Sequence, residues 1–127
     1  MPTRAYPSDA GLDLYSMQDV TVWPMDNAVI ETGVHVQIPE GYFGQLTSKS
    51  GLMAKNKVTS TGTIDSSYRG SIKAVLFNHD QNKPFEVRRG QKVTQLVILP
   101  CETPELEVVD ELGKTDRADN GFGSTGR

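Results

Sequence analysis

The chain has 127 residues, of which 36% are hydrophobic and 23% charged, and its formal net charge is −3. That length fits one domain with one core, and that apolar content excludes a chain too polar to fold. The negative balance argues against a general nucleic-acid binder, which needs a basic footprint, while a small nucleotide site needs only a few local cations.

Cys101 is the single cysteine. It precludes an intramolecular disulfide, so a reducing compartment and a cytoplasmic location are expected. No run approaches the roughly 20 apolar residues of a membrane-spanning helix, and residues 1–7 hold no apolar signal segment.

In chain order, short β-like runs recur between Gly, Pro, Asn and Asp, and helical periodicity is nearly absent. Residues 10–16 read AGLDLYS. Alternation turns Leu12 and Leu14 to one face and Asp13 to the other, as a solvated carboxylate or as an acid facing a metal or water. Val34, Val36 and Ile38 alternate with His35 and Gln37 and predict a strand that ends at Pro39-Glu40-Gly41. Residues 48–52, SKSGL, lead into the only helical stretch, with Ser50 as its expected N-cap. A hydroxyl, an ammonium and free N–H groups there suit a phosphate, or equally a capped helix with a surface lysine.

Residues 62–70, GTIDSSYRG, put Asp65 at a strand end beside Tyr68 and Arg69. A general base and the first residue of a type I turn are both compatible with that pattern. Residues 71–78 predict a buried strand, followed by turn signals at Asn82-Lys83-Pro84 and Arg89-Gly90. Residues 92–99 are apolar on both faces and predict a central strand. Gln95 lies inside that strand and must find a partner, in the backbone or in a ligand. After Val109 the pattern stops, and residues 117–127, RADNGFGSTGR, read as a mobile arm. A phosphate-loop reading of its glycines fails, because no Gly-Lys-Ser/Thr end and no helix follow.

Taken together and in order, AGLDLYS, KSGLM, GTIDSSYRG, GQKVTQL and RADNGFGSTG resemble the five motifs of the trimeric dUTPase family. The family patterns are AG-x-DL-x-S, RSG-L, G-x-ID-x-x-YRG, G-x-(R/K)-x-AQL and R-G-x-x-GFGSTG. The resemblance implies a single-domain, all-β, distorted jelly-roll or β-clip fold over residues 1–109, with one short helix. It also implies a flexible C-terminal arm, residues 110–127. The implied activity is Mg²⁺-dependent hydrolysis of dUTP to dUMP and pyrophosphate. That reaction limits uracil incorporation into DNA and supplies dUMP for thymidylate synthesis.

The same resemblance implies roles. Asp65 would orient and deprotonate the water that attacks the α-phosphorus. Asp13 and Gln95 would hold the metal's waters, the Mg²⁺ itself being carried by the substrate phosphates. Ser50 and Gly51 would lie near the α–β bridging oxygen, and Lys49 and Arg117 would neutralise phosphate charge. Tyr68 would pack under the deoxyribose and reject a 2′-hydroxyl. The backbone of Thr59, Ser60 and Gly62, with Ile64 beside it, would read uracil. Phe122 would close over the base, with Gly123, Ser124 and Thr125 on the phosphates. An obligate homotrimer with shared sites is expected: one chain would supply the Asp13, Ser50 and Gln95 segments, the next Asp65 and Tyr68, and the third the arm.

Four positions depart from the family pattern: Lys49 for Arg, Thr59 for Asn, Thr94 for Ala, and Ala118 for Gly. Lysine cannot fork onto phosphate oxygens as arginine does. Some viral members also carry Lys here, so a viral or phage source is among the expectations. A further strand before residue 3 is usual in the family. The rival enzyme of the same fold is a dCTP deaminase. The rival of another class is a nucleotide-gated regulatory protein, whose inserted segment has no room between Leu76 and Gly90.

Overall fold

The computed structural model describes residues 1–126. Arg127, the last residue of the arm as read from sequence, lies outside the described residues. The elements in chain order are β1 (Leu12–Tyr15), β2 (Val20–Val22), β3 (Asn27–Glu31), β4 (Tyr42–Thr47), α1 (Ser50–Asn56), β5 (Val58–Ile64), β6 (Lys73–Asn78), β7 (Phe85–Val87) and β8 (Lys92–Pro100).

Six strands form one antiparallel sheet in the order β1-β8-β4-β5-β6-β3, and β2 pairs with β7 in a second, small sheet. The small sheet packs on β3 and β6. Between them lies a core of Val22, Ile30, Val58, Ala74, Leu76, Phe85, Val87 and Val93. A second core of Leu14, Ile38, Leu46, Ile64, Ile72 and Leu96 fills the other end. The fold is therefore a single all-β domain with one short helix.

β8 is interior, between β1 and β4, as its two apolar faces require. Its last three residues, Ile98, Leu99 and Pro100, are nevertheless exposed. β6 starts at Lys73, later than expected, and only one of its faces is buried: Ala74, Leu76 and Asn78 point inward while Lys73 and Val75 do not.

The strand expected at residues 34–38 is not a ladder strand. Burial still alternates there, with His35 and Gln37 exposed and Ile38 buried. Among the described residues, however, the segment's backbone bonds inward are the Ile72 N–H to the Val34 carbonyl at 2.8 Å and the Val34 N–H to the Thr32 hydroxyl at 3.3 Å, with no strand ladder. Side-chain alternation reports which face is covered; it does not supply a neighbouring strand to pair with.

The helix also differs in one detail. Lys49, not Ser50, occupies the N-cap position, with extended backbone at φ −78° and ψ 123°, and no side chain caps the first turn. Ser50 is the first helical residue. Lysine has no acceptor to offer those N–H groups, so the chain leaves them unfilled.

Candidate active site

Pairing β1 with β8 places Asp13 opposite Gln95, and pairing β4 with β8 places Thr47 opposite the same Gln95. The residues that follow β4 are thereby brought beside Asp13. Asp13 is only 6% exposed. Lys49 donates to its Oδ1, and the Lys92 ammonium lies 3.0 Å from its Oδ2. Burial alone would raise this carboxyl. The two ammoniums outweigh burial and hold it below its ordinary value of 3.8. Asp13 is thus an ionised, nearly buried carboxylate shared by two cations, not a solvated surface acid.

Gln95 resolves its partner problem through Ser48, whose carbonyl accepts from Gln95 Nε2 at 3.2 Å. Its amide oxygen rests on Gly11. A Cβ built at Gly11 would overlap Gln95 Oε1 and sit 3.0 Å from Cδ. Gly11 is therefore the floor that lets the amide lie beside Asp13. Ser48 is fixed in turn by Ser60, whose N–H donates to the Ser48 hydroxyl at 2.8 Å while that hydroxyl donates to the Ser60 carbonyl at 3.0 Å.

The departure at Thr94 has a structural account. Its hydroxyl is buried, donates to the Thr47 carbonyl at 3.0 Å, and lies 2.7 Å from the Ser60 hydroxyl. Ser60 and Thr94 satisfy one another in the wall between β5 and β8.

Beside this cluster, Lys49, Gly51, Leu52, Lys55, Asn56 and Lys92 line a cavity of about 300 Å³. Three ammoniums on one small concavity suit a polyanion. Lys55, Lys92 and Gly11 were not singled out from sequence. Lys92 and Gly11 become meaningful only once the β1–β8 register is known, and Lys55 only once α1 places it on the same concavity as Lys49.

A second polar cluster forms at the mouth of the β5–β6 hairpin. β5 pairs with β6 from Val58 to Thr61, where the ladder ends at Thr61 opposite Val75. Beyond it the two strands part. Residues 62–64 keep β4 on one side and have no ladder partner on the β6 side. In that gap Thr63, Ile64, Asp65, Tyr68, Ser71 and Lys73 line a cavity of about 190 Å³. Asp65 is exposed, and its carbonyl accepts from the Tyr68 N–H at 3.0 Å, closing the turn.

Thr59 and Ser60 lie deeper along β5. Thr59 stands opposite Phe77, and its hydroxyl is 2.7 Å from His79 Nε2. That side chain is already engaged within the chain.

The two clusters stand apart. Asp13 is on β1 and Asp65 follows β5, with β8 and β4 between them. Three strand spacings separate their strands, which is on the order of 15 Å. The arm joins neither cluster. Among the described residues, the hydrogen bonds of residues 110–126 run within the arm, such as Arg117 Nε to the Asn120 carbonyl at 2.8 Å. Phe122, Ser124 and Thr125 are exposed. Ala118 and Phe122 both adopt φ 48°, a left-handed conformation costly for a side-chain-bearing residue.

Among the described residues no group of three or more His, Cys, Asp or Glu could cage a metal ion. The donors present are one ionised carboxylate and one amide. They fit a Mg²⁺ that arrives on phosphates and keeps its waters, because Mg²⁺ commonly binds through one or two carboxylates plus substrate oxygens.

Comparison with known proteins agrees with these features. The dUTPase family model matches residues 1–126. A deoxyuridine 5′-triphosphate nucleotidohydrolase of Corynebacterium jeikeium is 42% identical, over 99% of this chain and 85% of the relative. One of Mycolicibacterium gilvum is 44% identical, over 99% and 87%. The dUTPase of Staphylococcus bacteriophage 80alpha with dUPNHPP superposes with a TM-score of 0.91 at 35% identity, covering 100% of this chain and 92% of that one. A mutant dUTPase from phage phi11 of S. aureus, with a structural Mg(II) ion, superposes with a TM-score of 0.81 at 36% identity, covering 87% and 90%. The chain belongs to the dUTPase family.

Proposed function

We propose that this chain hydrolyses dUTP to dUMP and pyrophosphate, with water attacking the α-phosphorus. The observation that carries the reading is the separation of labour on the sheet. One cluster, Asp13, Lys49, Lys92 and Gln95, has the charge for a metal triphosphate. The other, Asp65 and Tyr68 in the hairpin mouth, has a carboxylate beside an aromatic wall.

Each residue has work suited to its chemistry. Lys49 and Lys55 attract the phosphates, and the unfilled N–H groups around Ser50 and Gly51 receive oxygen charge as the leaving group departs. Asp13 and Gln95 would hold a Mg²⁺ through its waters, and the ion would supply charge neutralisation on the phosphates. The open backbone edge at residues 62–64 offers uracil main-chain partners. Tyr68 stands under the deoxyribose. Asp65 takes the proton of the attacking water, for which it must reach hydrogen-bond distance. The arm's Arg117 and Phe122 cover the phosphates and base, excluding bulk water.

The separation of Asp13 from Asp65 by three strand spacings supports a site built between copies of the chain, and the assembly proposed is a homotrimer. The exposed apolar residues Val29, Val75, Ile98 and Leu99 support association, as does the unladdered segment at residues 34–38. A cytoplasmic location fits a single free cysteine.

The test is direct. The protein is incubated with Mg²⁺ and dUTP, dTTP, dCTP or UTP, and pyrophosphate and ammonia are assayed. Pyrophosphate from dUTP alone is the expected result, and ammonia from dCTP would assign a deaminase instead. Light scattering should return the mass of three chains.

A further inference from the structure

The turn between β5 and β6 is held more firmly than an exposed turn needs to be. From its backbone, closed on Asp65, the Tyr68 side chain folds forward along the chain. Its hydroxyl donates to the Ser71 carbonyl at 2.8 Å. That path carries the ring across Gly70. A Cβ built at Gly70 would lie 2.6 Å from Tyr68 Cζ and 2.9 Å from Cε2. Non-bonded carbons need about 3.5 Å. The requirement at position 70 is space: only a bare Cα lets the ring lie flat on its own turn.

Ser71 is anchored from another strand. Its hydroxyl donates to Glu31 Oε1 at the end of β3, and the same oxygen accepts the Gly33 N–H at 2.9 Å. These bonds, the Ser71 hydroxyl first, hold the Glu31 carboxyl below its ordinary value. A hydrogen bond onto an ionised carboxylate is shorter and stronger than a neutral one. On the far side of Gly70, the Arg69 carbonyl lies 2.8 Å from His35 Nδ1, which donates because a carbonyl only accepts. The residues before and after Gly70 are therefore both staked, and the ring is pinned at its root and at its hydroxyl.

We propose that Gly70, Ser71 and Glu31 are specificity-determining positioning residues: they fix the depth and angle of the Tyr68 ring, and through it the rejection of a 2′-hydroxyl. The proposal rests on the reading that Tyr68 is the wall under the sugar. A free tyrosine samples several staggered rotamers, and a wall that can swing aside admits one more oxygen. A ring pinned at both ends cannot swing. Gly70 supplies the room, the Ser71 carbonyl supplies the anchor, and Glu31 keeps Ser71 where the anchor is needed.

The test compares dUTP with UTP in steady-state kinetics for the whole protein and for Gly70→Ala, Ser71→Ala, Ser71→Thr, Glu31→Gln and Tyr68→Ala. Gly70→Ala and Ser71→Ala should each lower the ratio of kcat/KM for dUTP over UTP by about tenfold, the scale of a modest steric discrimination. The change should fall on KM rather than kcat. Glu31→Gln should lower the ratio less, and Ser71→Thr, which keeps the hydroxyl, should restore it. Two results would overturn the proposal and are distinguishable. If Tyr68→Ala collapses the ratio while Gly70→Ala and Ser71→Ala leave it intact, the ring needs no positioning. If Tyr68→Ala itself leaves the ratio intact, the sugar-wall reading fails, and this inference fails with it.

Discussion

Lys49 donates to one oxygen of Asp13 while Lys92 holds the other at 3.0 Å, so a single nearly buried carboxylate answers two ammoniums. The arrangement keeps the carboxylate ionised and oriented, and it leaves a net positive charge where a polyphosphate would dock. Lys49 must loosen from Asp13 to touch that phosphate, and Lys92 can keep Asp13 in place meanwhile.

This pairing predicts a pH dependence of stability. Asp13 is held below its ordinary 3.8, so its stabilisation is fully present above that value and is lost as pH falls through the lower, folded value. Lys92 is raised above its ordinary 10.5, chiefly by its bond to Asp13, so its share persists below 10.5 and is lost only in stronger alkali. Lys92 is half exposed, so solvent screens its part. Denaturant unfolding at pH 7 and pH 3 should show a larger acid loss in the unmodified protein than in Asp13→Asn. At pH 7 that variant should be less stable by about 1–3 kcal/mol. An identical acid loss in both proteins would contradict this account.

Gly11→Ala should act at a distance of one side chain. The new methyl overlaps Gln95 Oε1, so either β1 or the amide must move. Overpacking of this kind costs about 1–3 kcal/mol. The kinetic consequence should exceed the stability one, with kcat/KM for dUTP falling by roughly tenfold or more because a displaced amide no longer orients the metal's water. Stopped-flow turnover beside a thermal melt separates the two effects.

Asp65→Asn should bind dUTP and hardly turn it over. An amide cannot take the proton of water, and loss of a positioned base costs roughly 10²–10⁴-fold. Asp65 is exposed and makes no ion pair among the described residues, so the melting temperature should not change. Calorimetric titration with dUTP checks binding, and pyrophosphate release checks turnover.

Removing residues 118–127 should leave the body folded, because the described arm residues bond only to one another. Hydrolysis should fall steeply. The milder change Ala118→Gly replaces a side chain held at φ 48° with the residue that adopts this conformation freely. It should relieve about 1 kcal/mol of local strain. Arm closure, read from quenching of a label near Phe122, should speed up. An unfolded truncation product would make the arm structural.

Much of the fold class was legible, for particular reasons. β8 announced itself as interior because Val93, Val97 and Leu99 stand opposite Leu96 and Ile98 in the alternation. The helix was legible as a break in the β pattern, but its cap was misread, since a hydroxyl at position 50 looks like an N-cap whether or not the backbone turns helical one residue earlier. The segment at residues 34–38 kept its alternation and lost its ladder, because sequence records burial and not the neighbour. For the site, Asp13, Gln95, Asp65 and Tyr68 were each visible as polar residues at strand ends or inside apolar runs. Their sorting into two clusters came only from the family resemblance; residue pattern alone did not give it. That depends on register between β1, β8 and β4, which brings together residues as distant in the chain as Asp13 and Gln95.

The distance across the sheet between Asp13 and Asp65 has a genetic corollary. Inactivating changes should fall into two complementation groups. A chain carrying Asp13→Asn and a chain carrying Asp65→Asn are each expected to be inert alone. Unfolded together and refolded as mixed assemblies, they should recover part of the activity, wherever an intact hairpin mouth from one meets an intact carboxylate cluster from the other. Two lesions within the same cluster should not rescue each other.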